Sequence, residues 1–161
     1  MSLKTQVIDL TYLESIADGD NSIIIELVNI FRDQIEEFTE GFKTHFNGKD
    51  WKSLAALAHK AKSSVMSMGM TELGEQDLKN LELISKSLQI KKLVNQENRN
   101  SKEDEDFESL QMYLNNLNEE KRLWIIKHTD IEVVCSIIDK FNTVCQQAKQ
   151  DIENYLKNNN L

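Results

Sequence analysis

Proline is absent from the 161 residues, and glycine occurs only five times. Helices therefore meet almost no intrinsic breaker, since proline removes a backbone donor and clashes with the preceding turn. The two cysteines, Cys135 and Cys145, exclude a disulfide framework. On one helix they would stand about 15 Å apart along its axis, beyond bridging distance. No run approaches the roughly 18–20 consecutive apolar residues of a membrane span. The opening MSLKTQVIDL lacks the apolar centre of a secretory leader. Basic residues number 19 against 27 acidic ones, a net charge of -8, which argues against a general nucleic-acid binder. These absences lead us to expect a reduced, cytoplasmic protein with no nucleic-acid or membrane partner, and we expect it to be a monomer.

Apolar residues make up 40% and charged residues 29% of the chain, enough for one core under a solvated surface. Residues 1–161 are expected to form a single all-α domain. Leu10, Leu13, Ile16 and Ala17 mark a short first helix, ended by Asp18-Gly19-Asp20-Asn21, a turn rich in capping residues. From residue 22 to about 46, Ile24, Leu27, Val28, Phe31, Ile35, Phe38, Phe42 and Phe46 recur in steps of three, four and seven, predicting a long amphipathic helix. Asn47-Gly48 ends it, and Asp50 can cap a third helix over about 51–68. A fourth begins near Thr71, although the five-residue step from Leu73 to Leu78 is irregular. Residues 91–106, KKLVNQENRNSKEDED, are nearly free of apolar side chains and predict a solvated loop or frayed helix. A short helix follows around Phe107–Leu117, Leu123-Trp124-Ile125-Ile126 is an apolar knot of unassigned structure, and a last long helix covers 130–157. Such stripes bury themselves most simply in an antiparallel four-helix bundle, here with a short N-terminal helix and an extra helical or loop insertion before the last helix.

Catalytic signatures are few. The chain has no G-x-S-x-G, G-x-x-x-x-G-K, C-x-x-C or H-E-x-x-H, and its three histidines have no metal-type partner at helical spacing. His45 near a helix end and His128 before a cap suit structural or surface roles. His59 differs in direction. With Leu54 as zero and about 100° per residue, Leu57, Ala58, Ala61, Val65 and Met68 fall within about 60°, whereas His59 falls at about 140°. It points away from the core. Ala55 and Ala56 before it, and Lys62 and Ser63 after it, are its neighbours one turn away. The small residues leave the imidazole open to another protein domain, and Lys62 brings an ammonium within reach of anything attached to the ring. Lys52 and Lys60 add to the field. No acid occurs between Asp50 and Glu72, so the segment reads as a cationic island, the bland alternative being a solvated helix face.

The run Leu57-Ala58-His59-Lys60-Ala61-Lys62-Ser63-Ser64-Val65, followed by Met68-Gly69-Met70 and Leu73, resembles the signature of histidine-containing phosphotransfer (HPt) domains, which pass phosphoryl groups in multistep two-component signalling. His59, Lys62, Ser63, Ser64 and Gly69 occupy the family's histidine, lysine, two small and glycine positions. The Gly19-Asp20 turn, Leu27, Val28, Phe31 and Asp50 also sit where the family places similar residues, so the resemblance covers about residues 10–88. In two respects the chain departs from the pattern. Ser63 stands where many members have glycine. The polar residue that often approaches the histidine from the next helix falls at Leu81, and a shift within the Leu73–Leu78 step would bring Glu82 into its place.

The resemblance implies a phosphorelay intermediate. His59 would accept a phosphoryl group on Nε2 from a receiver-domain aspartyl phosphate and pass it to another receiver, with Lys62 stabilising the phosphoryl charge. Ala55, Ala56, Lys60, Ser63 and Met66 would form the docking face, and Ser64 and Gly69 would permit close approach. The partners would be receiver domains of response regulators or hybrid histidine kinases. No cofactor is expected on the chain itself, the Mg²⁺ belonging to the receiver. Two alternatives stay open: a non-catalytic helical adaptor docking on a response regulator, and a histidine-kinase dimerisation and phosphoacceptor domain. In the latter the residue after the histidine is typically acidic, whereas here it is Lys60, which argues against autokinase activity.

Overall fold

The computed structural model describes residues 6–161; residues 1–5, included in the single expected domain, lie outside the described residues. Among the described residues seven α-helices follow one another: α1 Thr11–Ala17, α2 Asn21–Asn47, α3 Trp51–Ser67, α4 Lys79–Val94, α5 Ser101–Asn115, α6 Glu119–His128 and α7 Ile131–Asn158. A π-helical turn, Leu73–Leu78, leads into α4, and no strand occurs among the described residues. Among the described residues five helices start at a side chain that satisfies their orphan amides, α5 through Asn100 and four others as follows. Asp20 accepts from Ser22 N–H at 3.0 Å, Asp50 from Ser53 at 3.2 Å, Asn118 from Lys121 at 2.8 Å and Asp130 from Glu132 at 2.9 Å. Such caps are worth about 1 kcal/mol each.

Helix α2 packs on α3 and α7, and α3 packs on the π turn and α4, which also meets α7. Short turns joining α2, α3 and α4 make these neighbours antiparallel. The insertion α5–α6 then returns the chain so that α7 closes a four-helix bundle. The apolar stripes meet inside: Val28, Phe31, Ile35, Phe38 and Phe42 of α2 face Phe141, Cys145, Ala148 and Ile152 of α7, with Leu54, Ala61 and Val65 of α3 and Leu81 and Ile84 of α4 beside them. Phe141 sits edge-on to Phe42 at 5.0 Å and to Phe38 at 6.4 Å, a geometry that aligns ring edges with π faces. Burial pushes the Cys145 thiol up to about 12, so it behaves as a small apolar core residue. Both cysteines are free.

The N-terminal segment is strapped over one end of the bundle. Asp151 of α7 accepts from the amide of Val7 at 2.7 Å, and the amide of Asp9 donates to the carbonyl of Met68 at 2.9 Å. Gly69 makes this crossing possible. Its φ is +77°, and a Cβ there would collide with the backbone of Asp9, so the side chain is excluded on both conformational and steric grounds.

Residues 91–106 depart from the expected loop or frayed helix. Residues 91–94 complete α4, only 95–100 are non-helical, and 101–106 begin α5. Asn100 and Glu103 form a reciprocal capping box, with Asn100 Oδ1 accepting at 2.8 Å and Glu103 Oε1 at 3.2 Å. Local capping and acidic residues in the first turn replace the missing apolar stripe. The 123–126 knot lies within α6, where Ile125 is buried while Leu123 and Ile126 face solvent.

Candidate functional site

Helix α3 presents different faces to its neighbours, and the residues around His59 divide among them. His59 is the exposed one, with 70% of its side chain accessible. Ala56 and Ser63 are also exposed, whereas Lys62, Ser64 and Met66 are half-buried. Ala55, expected on the open face, is only 4% accessible. About 100° from the core direction α3 meets α4, so Ala55 turns into the α3–α4 seam. There it lines the floor of a groove of about 440 Å³ beside His59, together with Ala56, Glu82 and Lys86, and with Asp106 and Leu110 of α5.

The cationic island is smaller in three dimensions than along the chain. Lys52 pairs with Asp106 of α5 at 2.8 Å, and Lys60 turns the other way to Glu37 of α2 at 2.5 Å. The acids missing from residues 51–71 arrive from neighbouring helices. Lys62 makes no ion pair among the described residues.

Glu82 approaches the ring from α4. Its carboxylate is almost fully buried, with Oε1 at 3.2 Å and Oε2 at 3.3 Å from His59 Nδ1. The π turn explains how it gets there. A π-helical turn adds one residue to the ordinary repeat, and the Leu73–Leu78 step absorbs it. That single insertion rotates every later residue of the helix by about 100°, placing Glu82 and not Leu81 towards α3; Leu81 is wholly buried in the core. Gly74 within the turn lies close under α3, where a Cβ would come 2.5 Å from Met66 Cγ.

Glu82 is held by two ammonium groups, Lys86 at 3.1 Å and Lys79 at 3.8 Å. Burial pushes its carboxyl upward, but the Lys86 hydrogen bond, the charges of Lys86 and Lys79 and the His59 contact prevail. It lies below the ordinary glutamate value. An ionised carboxylate only accepts hydrogen bonds, so the ring donates from Nδ1, and in the neutral imidazole the lone pair then lies on Nε2. Lys79 and Lys86 stand three residues before and four after Glu82, a spacing at which helical side chains meet, but their bearing on the site depends on the π turn that brings Glu82 to His59.

The other histidines are occupied elsewhere. His128 stacks on Trp124 at 4.1 Å, with Nδ1 2.7 Å from the Trp124 carbonyl oxygen, and His45 lies 4.0 Å from Asp50. No group of three or more His, Cys, Asp or Glu side chains among the described residues could hold a metal ion, and no helix of those residues is long and apolar enough to cross a membrane.

Residues 26–120 match the family model described as the Hpt domain, more than half of the chain. The chain therefore belongs to the Hpt domain family, whose members carry out histidine phosphotransfer in phosphorelays and interact with receiver domains. The matched region runs from α2 into α6 and includes His59, Glu82 and all of α5. No curated protein and no solved structure matches the chain.

Proposed function

We propose that this chain is a phosphorelay intermediate that takes a phosphoryl group on His59 Nε2 from the aspartyl phosphate of one receiver domain and gives it to another. The observation that carries this reading is an imidazole 70% exposed at one side while its Nδ1 rests on a buried carboxylate. In the forward step the Nε2 lone pair attacks phosphorus, the acyl P–O bond breaks, and the receiver aspartate recovers its carboxylate. The ring then carries positive charge on the Nδ1–H side, which Glu82 opposes. The reverse step returns the phosphoryl group to a second aspartate. Such transfers depend on in-line positioning and on charge placed around the phosphoryl oxygens. Lys62, one turn from His59, supplies positive charge from this chain, and the receiver brings its own Mg²⁺. The docking face comprises Ala56, Ser63, Met66 and the groove floored by Ala55, and we place the protein in the cytoplasm as a monomer.

Incubation with a phosphorylated receiver tests the proposal. Wild type is expected to gain acid-labile, base-stable phosphate, and His59→Gln none. Receiver binding without any transfer to wild type would favour the adaptor reading instead, and label retained by His59→Gln would remove His59 from its role.

A further inference from the structure

Helix α5 lies outside the four-helix bundle and has no fully buried side chain, yet one of its residues reaches the charges behind His59. Tyr113 covers both lysines that hold Glu82. Its hydroxyl accepts from Lys79 Nζ at 2.9 Å, and its ring lies 3.8 Å from Lys86 Nζ and 5.6 Å from Lys79 Nζ, measured to the centroid. The layers run outward as His59, Glu82, the two ammonium groups, then Tyr113.

Two lysines gathered on one carboxylate repel each other, and their long stems gain rotamer freedom by swinging into water. Lys121 of α6 adds a third cation nearby, lowered by burial and by Lys79, and it hydrogen-bonds Asn80. An aromatic face and a phenol oxygen offset this crowding, because the ring quadrupole is negative over its face. Lys79 shows the balance: burial alone would lower it, but the Tyr113 hydroxyl and the Glu82 charge raise it above the ordinary lysine value.

We infer that Tyr113 is a positioning residue for His59: it keeps Lys79 and Lys86 on Glu82, and thereby holds that carboxylate in place against His59 Nδ1. The functional consequence rests on the phosphoacceptor reading of His59, whereas the clamp itself rests on the contacts alone. It also assigns the insertion a task, that of carrying the outer layer of the site.

The test compares wild type, Tyr113→Phe and Tyr113→Ala in the full chain. Carbon-13 NMR follows the Glu82 carboxyl, nitrogen-15 NMR follows the His59 tautomer, and phosphorus-31 NMR follows phosphorylation by phosphoramidate. In that last reaction the P–N bond of the donor breaks, an Nε2–P bond forms and ammonia leaves. In Tyr113→Ala the Glu82 midpoint is expected to rise by about one pH unit as the lysines swing away. With the carboxylate no longer held at Nδ1, the Nδ1–H tautomer is expected to lose population, and phosphorylation to slow about tenfold. Tyr113→Phe keeps the ring over Lys86, loses the bond to Lys79 and should shift Glu82 in the same direction by less; it also serves as the variant that leaves α5 intact. An unmoved Glu82 midpoint and tautomer in both variants would overturn the inference even if wild-type His59 is phosphorylated. A shifted midpoint with no phosphorylation of wild type would keep the clamp and defeat the phosphoacceptor reading.

Discussion

Lysines 52, 60 and 62 are close in sequence and chemically identical, yet only Lys62 is left without a carboxylate partner among the described residues. Lys52 lies against Asp106 and Lys60 against Glu37 in solvent-exposed pairs, so on the proposed reading Lys62 is the cation of the three that starts with no carboxylate to leave. A half-buried cation one turn from the ring can follow the charge that spreads over the phosphoryl oxygens during transfer. Lys62→Ala is expected to slow receiver-dependent phosphorylation of His59 by about 10- to 100-fold, read by stopped-flow with a phosphorylated receiver. Its thermal stability should stay within about 0.5 kcal/mol of wild type, since it breaks no ion pair. Equal rates in the two proteins would assign the charge to another group. At this scale the sequence marks His59 and Lys62 by spacing, but it does not separate Lys62 from its neighbours, because the neutralising acids come from other helices.

Among the elements, α5 shows how far local chemistry can replace burial. Its segment is polar enough to suggest a loop, and it is nonetheless a helix, begun by the Asn100–Glu103 capping box and tied at its first turns by Lys52–Asp106 and Arg99–Asp104. Arg99 also lies over the Phe107 ring at 4.4 Å. Asn100→Ala should therefore cost α5 about 1 kcal/mol. That loss would appear as roughly fivefold faster hydrogen exchange of the amides at 101–106, with the melting of the bundle nearly unchanged. Unaltered exchange there would show that tertiary contacts alone hold the helix. The π turn is the counterpart case. Its trace in the sequence is the irregular step from Leu73 to Leu78, and its consequence, the rotation of Glu82 towards His59, is legible only once the hydrogen-bonded turn is seen.

For the whole molecule, stability in acid is set by carboxylates whose folded forms are held ionised. Asp9, Asp20 and Asp50 lie below the ordinary aspartate value, each chiefly through hydrogen bonds from a nearby hydroxyl and backbone amide (Thr11, Ser22 and Ser53), and Glu82 lies below the glutamate value despite its burial. A group with a depressed folded pKa contributes stability fully above its unfolded pKa and loses it as pH falls through the folded one. Unfolded carboxyls titrate near about 4. The urea midpoint should accordingly hold steady from about pH 7 down to about 5 and decline steeply below about 4. Urea titrations at several pH values check this, and Glu82→Gln should flatten part of the decline. A midpoint that stays constant down to about pH 3 would contradict the assignment.

The helical nature of the chain, its four long stripes, the exposure of His59 and the family to which it belongs follow from the order of residues. These depend on the absence of proline, on apolar spacing and on capping, all of which act within a few positions along the chain. Which acids neutralise Lys52 and Lys60, why Ala55 sinks into a seam, how Glu82 reaches the ring and why Tyr113 stands behind it were decided by packing. Those contacts join residues from about twenty to more than fifty positions apart, and their geometry depends on a one-residue change of helical register that alters direction without altering composition.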